Sequence, residues 1–188
     1  MKSETLEGYV YPATYSFIEK PDAKKVIRRA VEEFKKRLPE DYESRVIAMG
    51  LSLDEAVNFA SLIELETSSI EEKPLVSEVI WARLKDKVPI GIDATIIYGI
   101  KDYRGNITRR HLQDSSNPYN TRLHLGLPPT AIGNPDLSSM LAVLTPSNEG
   151  YYYYVLDVTK PGSKHHFSKT LSEHNTYVRK LVEHSRKK

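Results

Sequence analysis

Cysteine is missing altogether from the 188 residues, which removes disulfides and thiolate metal sites. The compartment stays open, because a reducing cytosol and an oxidising cell exterior both tolerate cysteine-free proteins. No apolar run approaches the ~18–20 residues a membrane span needs, and the opening Met1-Lys2-Ser3-Glu4 is not a signal peptide. There is no phosphate-cradling glycine loop and no HExxH ligand pair. The six histidines are scattered, and the adjacent His165 and His166 cannot readily chelate one ion from a strand, where neighbours point to opposite faces. No metal and no cofactor are therefore expected. Charge of one sign is also lacking: 27 Lys and Arg stand against 25 Asp and Glu, a formal charge of +2. Basic clusters such as Lys35-Lys36-Arg37 read as solvated helix faces. Without basic and aromatic residues interleaved on one element, nucleic acid is not an expected partner.

What is present is enough apolar residue, 39%, for one domain with a real core. Gly8 to Phe17, rich in aromatics and interrupted by Pro12, reads as an extended, partly buried entry segment. A helix is expected over Asp22 to Leu38, stopped by Pro39. Ser52 and Glu55 form a capping box that opens the best-marked helix, running to about Thr67. A second helix covers roughly Glu71 to Lys85, with Pro74 tolerated in its first turn. Short elements follow, with Asp93 and Thr108 as candidate caps. Asn134-Pro135-Asp136 opens a helix through Leu144, Tyr151 to Val158 is strand-forming, and Thr170 with Glu173 suggests a second capping box. The expected class is α+β, with helices dominant and short strands.

Residues three, four and seven apart share a helix face, so Phe59, Leu62, Ile63 and Glu66 make one stripe ending in a carboxyl. A carboxyl held against apolar neighbours keeps its proton to a higher pH, as a general acid for glycosidic cleavage requires. Glu64 lies on another face and is the weaker candidate. On spacing alone, Glu66 reads equally as an ordinary glutamate at the rim of the core.

The segment Ala60-Ser61-Leu62-Ile63-Glu64-Leu65-Glu66-Thr67 resembles the catalytic-helix signature of the endolytic murein transglycosylases, the YceG-like family. The resemblance continues in order through Glu7-Gly8 and Tyr11-Pro12, Ile92 to Gly99, Ser116-Asn117-Pro118-Tyr119-Asn120-Thr121, Gly126 to Ile132, His165-His166-Phe167 and Leu171 to Asn175. Asp93-Ala94 departs from the family's Asp-Pro. The resemblance implies a single lysozyme-like catalytic domain over about residues 7–181. It also implies a membrane anchor and a LysM-like region ahead of this segment in the full-length family, and a location on the extracytoplasmic face of the cell membrane. The implied substrate is the peptidoglycan glycan strand, with cell-wall synthases as protein partners and the anchor as the link to membrane. Glu66, the residue before the motif threonine, is the implied acid and base. Tyr119, Asn120, Thr121, His165, Asn175 and Asp93 are the implied substrate contacts, with spacing to Phe167 favouring His165 over His166.

A hydrolytic glycosidase needs a second carboxylate; Asp93 is the nearest candidate, and a helix-cap role suits it better. The four tyrosines Tyr151 to Tyr154 are expected to pack a strand. Gly126-Leu127-Pro128-Pro129 is expected to shape the cleft. Two rivals remain: a non-catalytic peptidoglycan-binding scaffold, which an exposed Glu66 would favour, and a hydrolytic muramidase, which a carboxylate facing Glu66 would favour.

Overall fold

The computed structural model describes residues 5–160, 162 and 164–186. Among the described residues, eight helices and one small sheet follow in the order α1 (Ala23–Arg37), α2 (Tyr42–Ala48), α3 (Leu53–Glu66), α4 (Lys73–Lys85), α5 (Asp93–Tyr98), α6 (Arg109–Leu112), α7 (Leu137–Leu144), β1 (Tyr153–Leu156), β2 (His165–Ser168) and α8 (Leu171–Ser185). The α+β, helix-dominated expectation holds.

Capping sets most helix starts. Asp22 accepts from the Lys25 N–H to open α1, and the Ser52–Glu55 capping box opens α3. Asp136 accepts from the Ser139 N–H to open α7, and Thr108 with His111 opens α6. At α8 only half of the expected box forms: Thr170 accepts from the Glu173 N–H, while the Glu173 carboxylate turns to His166 Nε2 and the Lys169 N–H. Asp93 caps nothing. It is the first residue of α5, whose cap is Ile92, and its carboxylate pairs with Arg122 instead. Helix α2 carries no sequence signal strong enough to predict it. It is held from outside, by the buried Tyr42 hydroxyl donating to the Met140 carbonyl of α7 at 2.9 Å.

Helix α3 is the axis of the core. Every residue from Ala56 to Ile63 is buried, with α7, α4, α5 and α2 packed around it. The entry segment runs along this core with Tyr9 and Tyr11 buried. Asn134 Oδ1 accepts from the Gly8 and Val10 N–H groups. Gly8 has φ +91° and lies so close to Val57 and Ala131 that a β-carbon there would overlap both, so only glycine fits. Strands β1 and β2 pair antiparallel with Tyr154 opposite Phe167 and Leu156 opposite His165. Side chains alternate across a strand, so the two faces of this hairpin do different things. Tyr153 and His166 face α8, stacked on His174 and Tyr177. Tyr154, His165 and Phe167 face the end of α3.

Candidate active site

Glu66 ends α3, and Thr67 is its C-cap. The Tyr154 hydroxyl donates to Glu66 Oε2 at 2.8 Å. Burial drives the Glu66 carboxyl above its ordinary value. The Tyr154 bond and the nearby His165 pull it down, and the Asp93 charge pushes it up again, with a net rise. The Tyr154 phenol itself is held well above its ordinary range by burial and by the Glu66 carboxylate. A half-buried acid with a raised affinity for its proton and one directional donor has the chemistry of a general acid.

Glu64, two residues earlier, belongs to a different structure. Its Oε2 accepts from Lys73 Nζ at 3.0 Å, the Ser139 hydroxyl at 2.5 Å and the Asp136 N–H at 3.2 Å. Lys73 Nζ also reaches Asp136 Oδ1 and Ser138 Oγ. Asp136 is pushed up by burial, but the bonds from Ser138, Ser139 and Lys73 outweigh this and hold it at about 2. Glu64 is thus committed to joining α3, α4 and α7.

His165 lies on β2 against Tyr154, ring centroids 5.4 Å apart in an edge-to-face arrangement. Its Nδ1 meets Glu72 Oε2 at 2.9 Å, and its backbone N–H donates to Glu72 Oε1 at 2.8 Å. Thr67 Oγ1 also donates to Glu72 Oε2. Burial raises the Glu72 carboxyl, but these bonds and the nearby His165 ring prevail, leaving it below its ordinary value. Glu66, Tyr154, His165, Glu72 and Thr67 therefore form one connected group, and Asp93 acts on it through its charge.

The remaining expected contacts divide. Asn120 is fully buried; its Nδ2 donates to the carbonyls of His111, Leu112 and Asp114, and its Oδ1 accepts from the Arg122 N–H. Thr121, also buried, binds the Ile92 N–H and the Thr95 hydroxyl. Asn120 ties its loop to α6 and the turn after it, and Thr121 ties the loop to α5; both polar side chains are spent within the protein, where direct sugar contact was the expectation. Tyr119 is half-buried, packed on Tyr98 at 4.8 Å and bonded to Thr130 Oγ1. Asn175 is exposed on α8, and no hydrogen bond joins it to the Glu66 group. We predict that Asn120→Ala lowers thermal stability by about 1–3 kcal/mol, because several buried groups lose partners. A sugar contact would instead raise KM and leave the melting temperature unchanged.

Two members of the group, Tyr154 and Glu72, escape sequence reasoning. Tyr154 sits in a run of four tyrosines that looks uniform along the chain; the strand register alone singles it out. Glu72 looks like an ordinary helix-start acid. A large concavity, about 1230 Å³, lies elsewhere, at the N-terminal half of α3 among Met49, Leu51, Trp81, Leu84, Leu127 and Pro128. The Gly126-Leu127-Pro128-Pro129 segment thus shapes that hollow, and Glu66 does not line it. Chemistry rather than volume locates the candidate site: the hollow's carboxylates Glu7, Asp54, Glu55 and Glu78 are tied to the Tyr98 hydroxyl, to the Tyr9 hydroxyl, to Ser52, and to Ser147 with the Gly150 N–H. Among the described residues no cluster of three His, Asp or Glu could hold a metal ion.

A helical core ending in a desolvated acid, faced by a two-stranded hairpin, defines the class, and the chain belongs to the YceG-like family, whose model matches residues 1–180. The chain is 32% identical over 177 residues to the endolytic murein transglycosylase of Bacillus subtilis (strain 168), covering 94% of this chain and 48% of that protein. It is 27% identical over 183 residues to the endolytic murein transglycosylase of Streptococcus pneumoniae serotype 2 (strain D39), covering 95% of this chain and 32% of that one. The chain thus spans about half the length of the first relative and a third of the second. A crystal structure of a yceG-like protein from Listeria monocytogenes matches with a TM-score of 0.78 and 31% identity, over 91% of this chain and 54% of that chain.

Proposed function

We propose that this domain is the catalytic part of an endolytic lytic transglycosylase acting on peptidoglycan glycan strands, with Glu66 as acid and then base. The observation that carries this is the Glu66 carboxyl, whose proton affinity is raised by burial and which Tyr154 aims. Protonated Glu66 gives its proton to the oxygen bridging N-acetylmuramic acid and N-acetylglucosamine, and the C1–O bond breaks. The muramic C6 hydroxyl then bonds to C1 and gives its proton to the Glu66 carboxylate. A 1,6-anhydro end results, Glu66 is reprotonated, and no water is consumed. The N-terminal anchor, the extracytoplasmic location and cooperation with cell-wall synthases belong to the same proposal and rest on the family alone.

The hydrolytic alternative requires a second carboxylate to act as nucleophile or base. Asp93, the candidate, accepts two bonds from the Arg122 guanidinium at 2.9 and 2.7 Å. That charge-assisted pairing ties Asp93 to Arg122 rather than leaving its carboxylate free to serve as nucleophile or base. Asp93 instead raises the proton affinity of Glu66. The test is mass spectrometry of ends released from purified peptidoglycan. Anhydro-muramic ends support the proposal, whereas reducing ends would move the activity to hydrolysis.

Tyr154→Phe removes the bond that favours the Glu66 carboxylate, so the Glu66 proton affinity should rise further. Activity that depends on the protonated acid is lost as pH rises through the Glu66 value. The alkaline limb of the kcat/KM profile should therefore move to higher pH in Tyr154→Phe.

A further inference from the structure

The bond pattern around Glu72 is more specific than a helix start requires. Glu72 is the N-cap of α4, yet its side chain makes no capping bond. It is 6% exposed and spends both oxygens outside its own helix, on the His165 backbone, the His165 ring and Thr67. The positive end of the α4 dipole favours its negative charge there, as do the donors it accepts from. An ionised carboxylate can only accept. His165 Nδ1 must therefore carry a proton, and in the neutral ring this leaves Nε2 as a bare lone pair. No hydrogen bond among the described residues uses Nε2. Tyr154 packs edge-on against the same ring and bonds Glu66, so the ring lies beside the candidate acid. Its neighbour His166 points to the other face of the hairpin, where Glu173 and Tyr177 occupy it.

We propose that Glu72 is a positioning residue that locks His165 in the Nδ1–H form, so that Nε2 accepts a hydrogen bond from a hydroxyl or amide N–H of the saccharide bound at Glu66. The proposal rests on the transglycosylase reading of the site. Thr67, bonded to Glu72 and adjacent to Glu66 in the chain, ties the same carboxylate to the end of α3. One buried residue thereby sets the relation of helix to hairpin and the tautomer of the histidine.

Glu72→Gln is the informative change. The glutamine carbonyl can still accept from the His165 N–H, but its NH₂ must face Nδ1. The ring proton then moves to Nε2 and converts the acceptor to a donor, the logic by which an amide in place of a carboxylate inverts a catalytic histidine. ¹⁵N NMR of the histidine rings should show His165 protonated at Nδ1 in the native domain and at Nε2 in Glu72→Gln, with the assignment fixed by His165→Gln. In strand cutting, Glu72→Gln should lose about 10–100-fold in kcat/KM. His165→Gln, which keeps an acceptor near the Nε2 position, should retain more activity than His165→Ala. Adding Glu72→Gln to His165→Gln should cost no more than about twofold, because coupled residues are not additive. A native His165 protonated at Nε2 would overturn the proposal without any variant. So would a Glu72→Gln protein whose tautomer flips while kcat/KM stays within about twofold of native. If Glu66→Gln is inert in the same assay while Glu72→Gln is fully active, only this inference fails. If the native domain, in a chain as long as its relatives, releases no ends, the underlying reading fails with it.

Discussion

Glu66→Gln should reduce strand cutting by roughly 10³–10⁴-fold, the upper range for removing a general acid–base group, because one carboxyl serves both proton transfers. The loss should fall on kcat, with substrate binding little changed, since the amide keeps the size of the side chain and can still accept from Tyr154. The same substitution should make the folded protein more stable at neutral pH. The folded-state proton affinity of Glu66 is raised by burial, so the folded state holds more protons than the unfolded state above the ordinary carboxyl value of 4.5. Stability is therefore lost as pH rises through the window from that value to the folded one. Glutamine has no such loss. Thermal melts should show Glu66→Gln gaining over native at pH 7, and the gain should vanish below pH 4.5. An inactive and destabilised variant would point instead to a structural glutamate. Equal cutting by both proteins would remove Glu66 from the mechanism.

The second large effect concerns stability. Lys73 is 3% exposed and is the cation shared by Glu64 and Asp136. Lys73→Ala would leave two carboxylates facing each other between α3, α4 and α7 without a counter-charge. Breaking a fully buried pair from one side costs about 3–5 kcal/mol; with the two carboxylates 28% and 37% exposed, water can take part of the load and about 1–3 kcal/mol is expected, a fall in melting temperature of roughly 2–12 °C for a domain of this size. The Asp136 carboxyl, held at about 2, ties this stability to pH. A depressed value contributes stability above the ordinary 3.8, and that stability disappears as pH falls through the folded value. Native protein should therefore lose stability between about pH 4 and pH 2, and Lys73→Ala should lose less across that interval. Lys73→Met would separate lost charge from lost packing.

Much of this was legible along the chain because the forces involved are local. Capping residues satisfy N–H groups within three positions of themselves, so Asp22, Ser52, Thr108 and Asp136 announce their helices regardless of what packs nearby. The apolar stripe ending at Glu66 follows from helical spacing, and so does the separation of Glu66 from Glu64. Asp93 shows where local reasoning stops: an acid at a helix start looks like a cap, but Arg122, distant in sequence, offered a better partner. Asn120 and Thr121 resemble exposed loop residues in the sequence. Burial turned their polar groups onto the backbone, because an unpaired amide in the core costs more than a lost sugar contact.

By itself, then, the sequence determined most of the helices with their caps, the α+β class and the acid at the end of α3. Only the tertiary structure decided what surrounds that acid. Strand register sends Tyr154 and His165 to Glu66 and sends Tyr153 and His166 to α8, and a shift of one residue would exchange them. Glu72 and Lys73, adjacent in the chain, diverge because the helix start points one toward the hairpin and the other toward α7. The proton affinity of Glu66 likewise depends on desolvation by groups far away in sequence, a property of the packed interior that no local pattern encodes.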